Sequence, residues 1–432
     1  MNKISKFFKS IFCAVDDQEP KLLTMYKKES TKSVFASLIC IFTGIFIGFL
    51  IMLILALTSD DIPFRDAIKG LFKLMGGPFS IKGNVMFLLG DMLFQTTPLL
   101  LTGLSVAIAF KTGLFNIGAP GQYLMGAMVS IIVALGIPAS NPTVGFFVWL
   151  LALVCGMLAG ALWGCIPGAF KALLGVNEVI VCIMTNWIAA NVVSWVFSVN
   201  KQFTNSADGK AGYTIPTFKN NVATPKLGLD KIFEGSYMDI GLVIAIVIAI
   251  VVYIILNKTT FGYELRACGH NRHASKYAGM NEKRNIILSM AIAGALAAGG
   301  ASLYFLNGKV ELYWNTYQSL PADGFNGIPV ALLASNNPIG VIFGSLFLRY
   351  IDKGGFNLAG YTMFNEYVSD LIIAIIIYFA GFSKLIVDIL SGKKIRIKGV
   401  LKDKLKGIFK KKEKVTASQG VNSQSDKGGE VK

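Results

Sequence analysis

Long apolar runs alternate with short polar or basic stretches along most of the chain. A helix needs about 20 apolar residues to cross a bilayer, and several runs reach or exceed that length. The segments predicted to enter the membrane are residues 34–57, 85–110, 122–135, 144–166, 178–197, 240–256, 286–306, 326–334, 339–350 and 368–380. This pattern predicts an all-α polytopic membrane protein with about ten transmembrane segments, some of them broken or of half length.

The prediction of half-length segments depends on the positive charge at both ends of the chain. Both ends are rich in Lys, and positive flanking segments stay in the cytoplasm, so both termini are predicted inside and the number of crossings is even. Treating residues 327–348 as one crossing would give an odd total. The break at residues 335–338 instead divides this stretch, and its first part rises only ~15 Å at about 1.5 Å per residue. Arg349 and Lys353 are then predicted to lie outside.

Charge and composition agree with a membrane protein. Lys and Arg total 41 against 25 Asp and Glu, a formal charge of +16, while 53% of the residues are apolar. In a soluble chain this charge would suggest nucleic acid. Here the basic residues lie mostly in loops and at the ends, where the positive-inside rule accounts for them, so no nucleic-acid partner is predicted.

The predicted organisation has three parts. They are a cytoplasmic amphipathic segment at residues 1–33, a transmembrane domain at 34–382, and a basic cytoplasmic tail at 383–432 whose end is disordered. Within the domain, residues 200–237 form an external loop and residues 258–284 a cytoplasmic loop.

A charged stretch between two very apolar runs, FGYELRACGHNRHASKYAGM at residues 261–280, contains the most specific signal. Asn271 is a good N-cap, residues 272–278 can form two helical turns, and Gly279 can adopt the left-handed conformation that ends them. Positive charges outnumber negative ones around it. The stretch therefore predicts a short, isolated helix in a cytoplasmic loop.

This stretch resembles the coupling loop in permease subunits of ATP-binding-cassette (ABC) importers of the ribose and branched-chain amino acid class. Three more motifs resemble the same family, most closely its nucleoside (guanosine-type) branch: GLFNIGAPGQ at residues 113–122, GVNEVIVCIMTNWIA at 175–189 and GFNGIPVALLASNNPIG at 324–340. The chain departs from the family pattern at three positions. Pro120 replaces a Glu, Pro329 an Ala and Ala334 a Gly, and the loss of the Glu removes any charge-based role at position 120.

The resemblance implies that the coupling loop docks into an ATPase. The positions that match are Arg266, Gly269, Asn271, Ala274, Ser275 and Gly279. The residues predicted to line a substrate path are Asn116, Gln122, Asn186, Trp187, Phe325 and Asn326. Trp187 lies near the middle of its segment, whereas membrane Trp prefers the interface, so it suits stacking on a planar ligand beside Asn186. The alternatives are that Asn116 and Gln122 satisfy backbone groups at a broken helix and that Trp187 packs in the core.

The chain contains no G-x-x-x-x-G-K-[ST] phosphate loop. It is therefore predicted to be a transport subunit without its own ATPase site or cofactor, with ATP and Mg bound by a separate ABC ATPase. The resemblance further implies a second permease subunit, a shorter homologue, and an extracellular substrate-binding lipoprotein that delivers a nucleoside.

Two alternatives stay open at this stage. A simple-sugar or branched-chain amino acid permease has the same motifs, and a secondary transporter would need coupling-ion sites within the membrane. Few ionisable residues lie deep in the segments, with Asp91 near an end, which argues against the secondary transporter. His270 and His273 are the only histidines, and without further ligands they predict no metal site.

Overall fold

The computed structural model describes residues 29–59, 61–80, 84–207, 209–315, 320–365 and 367–390. The amphipathic segment predicted at the N-terminus and the basic tail beyond residue 390 lie outside these ranges. Within them the chain is helical, and pairing of extended backbone is limited to two isolated bridges, Thr204 with Thr214 and Tyr213 with Tyr313. The all-α prediction is confirmed.

The helices are numbered in chain order. They are α1 Glu29–Thr58, α2 Phe64–Gly76, α3 Val85–Lys111, α4 Ala119–Gly136, α5 Pro142–Leu174, α6 Glu178–Val199, α7 Leu229–Ile232, α8 Gly241–Lys258, α9 Thr260–His270, α10 Arg272–Tyr277, α11 Glu282–Phe305, α12 Ala322–Leu333, α13 Pro338–Tyr361, α14 Tyr367–Ala380 and α15 Ser383–Leu390.

Asparagine begins many of these helices, because its side-chain oxygen accepts a hydrogen bond from a free N–H in the first turn. The pairs are Asn84 with Phe87 N, Asn141 with Val144 N, Asn177 with Val179 N, Asn271 with Ala274 N, Asn281 with Arg284 N and Asn337 with Ile339 N. The helix starts are therefore encoded locally.

In the described ranges, 7 helices are long and apolar enough to cross a membrane: α1, α3, α4, α5, α6, α8 and α11. Every predicted segment overlaps one of these or α12, α13 or α14. Helix α13 differs most from the prediction, because it has 24 residues and continues past Tyr350 to Tyr361. Its charged residues suggested an end in the sequence, but they are paired with other charges, as described below.

Helix α11 lies at the centre of the bundle and contacts α3, α4 and α5. A Cβ placed on Gly160 of α5 would lie 2.5 Å from the carbonyl oxygen of Gly294 on α11. A Cβ on Gly126 of α4 would lie 2.4 Å from the Cβ of Ala298. These small residues let the helix backbones approach closely, which is how helices gain contact area in a membrane.

The predicted break at residues 335–338 is confirmed. Ser335 and Asn336 have φ angles of 50° and 58°, in the left-handed region that ends a helix. Asn337 then caps α13, whose first residue is Pro338. Helix α12 has 12 residues, about 18 Å at 1.5 Å per residue, so it remains of half length although it begins four residues before the predicted start.

The stretch between α1 and α3 contains helix α2, which the sequence analysis did not predict. This helix is amphipathic and buries Ala67, Gly70 and Leu74. A Cβ on Gly354 of α13 would lie 2.3 Å from the carbonyl oxygen of Leu74, so α2 packs directly on the continued part of α13. The mixed composition of the segment concealed this helix, because only one of its faces is apolar.

Residues 200–237, the predicted long loop, carry only short helical turns where described. The loop is tied to the bundle by side chains. Trp149 on α5 donates its indole N–H to Thr224 Oγ1 at 3.0 Å, and Asn220 donates to the carbonyl of Ala134 at the end of α4.

Candidate functional site

Residues 258–284, called the coupling loop after the family loop they resemble, contain two helices, α9 and α10. Asn271 caps α10 by accepting from Ala274 N at 3.1 Å, and Gly279 follows its end with a φ of 80°. The predicted short helix is confirmed. Helix α9 was not predicted, although Thr259 gave a signal for it: its hydroxyl accepts from Gly262 N at 3.1 Å, as an N-cap does.

The two small residues of α10 face different surroundings. Ala274 is exposed, whereas Ser275 is 3% exposed and donates its hydroxyl to the carbonyl of Asn271 at 3.0 Å. Ser275 therefore packs against its own chain, and of this pair only Ala274 is accessible to a partner. Tyr277, which the sequence analysis did not single out, is 94% exposed, and Arg266 on α9 is also exposed.

The coupling loop contacts the turn that follows α3 mainly through backbone. A Cβ on Gly269 would lie 2.2 Å from the carbonyl oxygen of Lys111, the last residue of α3, and 2.9 Å from Gly113 N. Gly113 itself has a φ of 71°. The guanidinium of Arg272 donates a long hydrogen bond, 3.5 Å, to the carbonyl of Gly113. The loop thus rests on the turn that follows α3, and only glycine fits at position 269.

Residues 113–122 lead from this turn to α4, and their side-chain amides form a buried cluster. Asn116 Nδ2 donates to Gln122 Oε1 at 2.8 Å, and Gln122 Nε2 donates to Asn116 Oδ1 at 3.1 Å. Asn116 also donates to Ser105 Oγ on α3 at 3.1 Å. From α6, Asn186 accepts from Gly121 N and donates to the carbonyl of Ile117, both at 2.9 Å.

Three of the residues predicted to line a substrate path are therefore brought together, but in a buried cluster. Asn116, Gln122 and Asn186 are each at most 2% exposed, and they satisfy one another and the backbone at a broken helix. This arrangement is the alternative that the sequence left open for Asn116 and Gln122. A direct role of the three amides in substrate contact stays a prediction.

The half-helix α12 begins beside this cluster. A Cβ on Gly324 would lie 2.5 Å from Pro120 Cα, and one on Gly327 would lie 2.5 Å from the carbonyl carbon of Thr102 on α3. Phe325 and Asn326, the other predicted path residues, are half-buried in the first turns of α12. The stretch 113–122 consequently contacts the coupling loop at one end and α12 at the other.

A second polar cluster lies toward the start of α3, away from the coupling loop. Arg349 of α13 pairs with Asp323 in the first turn of α12 and, at 3.3 Å, with Asp352. The side chain of Arg349 is 13% exposed. Its Nε also donates to the carbonyl of Gln95 on α3 at 3.2 Å. The arginine therefore joins α3, α12 and α13.

Lys353 extends the cluster by pairing with Asp91 of α3 at 2.5 Å, and Gln95 donates to the same carboxylate at 3.1 Å. Sequence reasoning missed this cluster, because its members are separated by up to 262 positions. Each looked like a charge near the end of an apolar run. Pairing lowers the cost of placing these charges within a helix bundle.

Comparison with known proteins identifies the architecture. Residues 88–381 match the family described as "Branched-chain amino acid transport system / permease component". The chain belongs to this permease family.

The permease also has close curated relatives. It is 36% identical over 347 residues to the guanosine ABC transporter permease protein NupP of Bacillus subtilis, covering 80% of this chain and 92% of that one. It is 35% identical over 383 residues to the nucleoside ABC transporter permease protein NupB of Lactococcus lactis, covering 87% and 98%. It is 31% identical over 276 residues to the glucose ABC transporter permease protein TsgB13 of Haloferax volcanii, covering 62% and 69%.

Weaker similarity links the permease to second permeases of the same two bacteria. It is 25% identical over 275 residues to NupC of Lactococcus lactis, with 62% of this chain and 81% of that one covered. It is 25% identical over 262 residues to NupQ of Bacillus subtilis, with 60% and 78% covered. No solved structure matches the permease.

Trp187 and Asn186, predicted to act together, point in different directions on the permease. Asn186 is 2% exposed against residues 117–121, whereas Trp187 is 46% exposed on the outer face of α6. Consecutive helical residues are about 100° apart, so only one of the two faces the bundle. They do not form one site, and Trp187 does not pack in the core.

Proposed function

We propose that this chain is the membrane-spanning permease subunit of an ABC importer that carries nucleosides across the cell membrane. The observation that carries the proposal is its similarity to NupP and NupB, which covers nearly their whole length and whose printed names give guanosine and nucleoside transport. Energy comes from ATP, with Mg, on a separate ATPase subunit. The permease has no enzymatic site and no cofactor of its own.

The coupling loop supplies the contact with that ATPase. Helix α10 presents Ala274 and Tyr277 to solvent, a small residue beside a large aromatic one, which suits a helix that enters a groove of a partner. The loop is cytoplasmic in this proposal, as are both termini, because positive charges predominate in these segments.

Movement of the coupling loop reaches the membrane through residues 113–122. Gly269 rests on the turn at Gly113, the amide cluster follows, and Pro120 touches the start of α12. These contacts form one contiguous chain of close-packed groups from α9 to the half-helix α12. In a close-packed chain a shift at one end is passed on, since no gap is available to absorb it.

Three further partners belong to the proposal. A second, shorter permease completes the transport pathway, because the relatives occur as NupP with NupQ and NupB with NupC. A substrate-binding lipoprotein delivers the nucleoside from outside. The surrounding lipid bilayer solvates the apolar exposed faces.

Sugar import is the second candidate, favoured by the 31% identity to the glucose permease TsgB13. That similarity covers less of this chain than the similarity to either nucleoside relative. The two candidates are distinguished by direct competition between guanosine and glucose.

The test uses the complete importer with its binding protein in proteoliposomes, with ATP trapped inside. We expect labelled guanosine to enter with ATP and not without it, and unlabelled glucose to leave the rate unchanged. Uptake driven by a sodium or proton gradient alone would refute ABC transport. If glucose competes and nucleosides do not, the substrate is a sugar and the nucleoside proposal fails.

A further inference from the structure

The exposed faces of most long helices are hydrocarbon along their middle. Helix α5 presents Leu150, Val154, Leu158 and Leu162, and α8 presents Val243, Val247, Ile250 and Ile254, each 44% to 71% exposed. Such faces suit contact with lipid chains, which offer no hydrogen-bond partners.

Helix α6 differs from these helices. Its exposed face carries Trp187, Asn191 and Trp195, and their four-residue spacing aligns them along one side of the helix. Trp187 and Trp195 are 46% and 66% exposed. At 1.5 Å per residue, Trp187 and Asn191 both lie within about 4 Å of the midpoint of α6. An amide and an indole thus occupy the exposed middle of a membrane helix.

Lipid is a poor neighbour for these groups. The Asn191 amide donates to the carbonyl of Trp187 at 2.8 Å, and within the described residues its own oxygen has no partner. A polar group left unpaired in hydrocarbon is costly, and indoles prefer the membrane interface to its centre. This face of α6 therefore suits the transport pathway better than the lipid.

The same residues, together with Met184, Ile188 and Val192, line a shallow depression along α6 that is open on its outer side. Its aromatic side chains and the single amide are available to whatever lies against this face of the helix. A nucleobase is planar, stacks on indoles and presents donors and acceptors at its edge, which an Asn amide can pair with in bidentate fashion.

We propose that Trp187, Asn191 and Trp195 form a strip of the transport pathway that binds the nucleobase during passage. The proposal rests on nucleoside import as the function. In this proposal the polar partner of Trp187 is Asn191, and not Asn186 as the sequence analysis predicted. The open side of the depression then faces the pathway shared with the second permease.

The test measures guanosine uptake by the complete importer in proteoliposomes, with saturating binding protein. Trp187→Leu and Asn191→Leu should each lower the uptake rate about two- to tenfold, as expected for the loss of one stacking or edge contact. Trp187→Phe should restore most of the rate, because it keeps an aromatic face. The matched control is Phe147→Leu on α5, an aromatic residue 63% exposed on a hydrocarbon face, which should leave uptake unchanged.

Wild-type uptake rates for both leucine variants would overturn the proposal that the strip binds the nucleobase. They would leave the proposal of guanosine import unaffected. If the wild-type importer carries glucose and no guanosine, the proposed function itself fails and the strip with it. A second measurement needs no variant. Photolabelling of the wild-type complex with 8-azidoguanosine should modify the peptide containing residues 178–199, and modification confined to other segments would also overturn the proposal.

Discussion

The contact between the coupling loop and the end of α3 is made mainly by backbone, whereas the cluster near the start of α3 is made by charged side chains. At the first, Gly269 lies against Lys111 and Gly113 with no space for a Cβ. At the second, Arg349 and Lys353 pair with carboxylates from α3, α12 and α13. The two regions lie at opposite ends of α3.

This difference implies different sensitivities. A backbone contact depends on the absence of a side chain, so one added methyl group disturbs it. An ion-pair cluster depends on charge balance, so removing one partner leaves the others uncompensated. The coupling end is therefore suited to transmit a shift, and the opposite end is suited to hold α12 and α13 in place.

The largest effect is expected at Ala274. Ala274→Glu should weaken ATPase co-purification and abolish uptake, because a large charge would be buried unpaired at the proposed docking surface. The control is Ala211→Glu in the long loop, since Ala211 is also exposed but distant from α10. Normal ATPase recovery and wild-type uptake in Ala274→Glu would reduce the coupling loop to an ordinary connector.

The charged cluster should respond next most strongly. Arg349→Met leaves Asp323 and Asp352 without their shared cation, and breaking a buried pair in this way costs about 3–5 kcal/mol of stability. Asp352→Asn should cost much less, because the Asp352 side chain is 36% exposed and Arg349 keeps Asp323. Thermal unfolding of the purified permease measures both. Equal losses would mean that the cluster does not act through Arg349.

Gly269→Ala tests the backbone contact itself. The added methyl group would overlap the Lys111 carbonyl, and we expect a loss of about 2 kcal/mol together with lower uptake. Gly279→Ala is the matched comparison, because nothing lies within 4 Å of its Cβ position and only its φ of 80° is strained. It should cost about 1 kcal/mol. If Gly279→Ala impairs uptake more than Gly269→Ala, the close approach at Gly113 is not the important contact.

The smallest effect concerns a buried carboxyl outside both regions, Asp239 before α8. Burial raises the pKa of Asp239 from 3.8 to about 6, although it accepts hydrogen bonds from Asn307 and from Gly241 N. Because the folded pKa exceeds the unfolded one, stability is greatest below about pH 4 and falls as the pH rises toward 6. From pH 5 to pH 7 the loss should be about 1 kcal/mol.

Unfolding followed across this pH window checks the sign, since stability that rises with pH would contradict it. Asp239→Asn should flatten the profile in the same window. A cluster variant such as Asp352→Asn should keep the slope, which separates this effect from the ion pairs around Arg349.

Much of the fold was predictable because it is encoded locally. Apolar run length predicted the membrane segments, Asn271 and Gly279 predicted the bounds of α10, and the break at residues 335–338 lies where two residues adopt positive φ. Capping and backbone conformation depend on neighbours within a few positions, so the sequence contains the whole signal. The motifs likewise pointed to the permease family that residues 88–381 match.

The tertiary structure alone decided which side of each element meets the protein. Ser275 is buried while Ala274 is exposed, and Asn186 faces the bundle while Trp187 faces outward. Helical periodicity separates such neighbours by angle, but only the packing partners determine which direction is inside. The same holds for α13, which continues beyond Tyr350 because Arg349 and Lys353 find carboxylates on helices distant in the chain. In the sequence a charged residue suggests the end of a membrane helix. The carboxylate that pairs with it lies far away in the chain and comes close only when the helices pack.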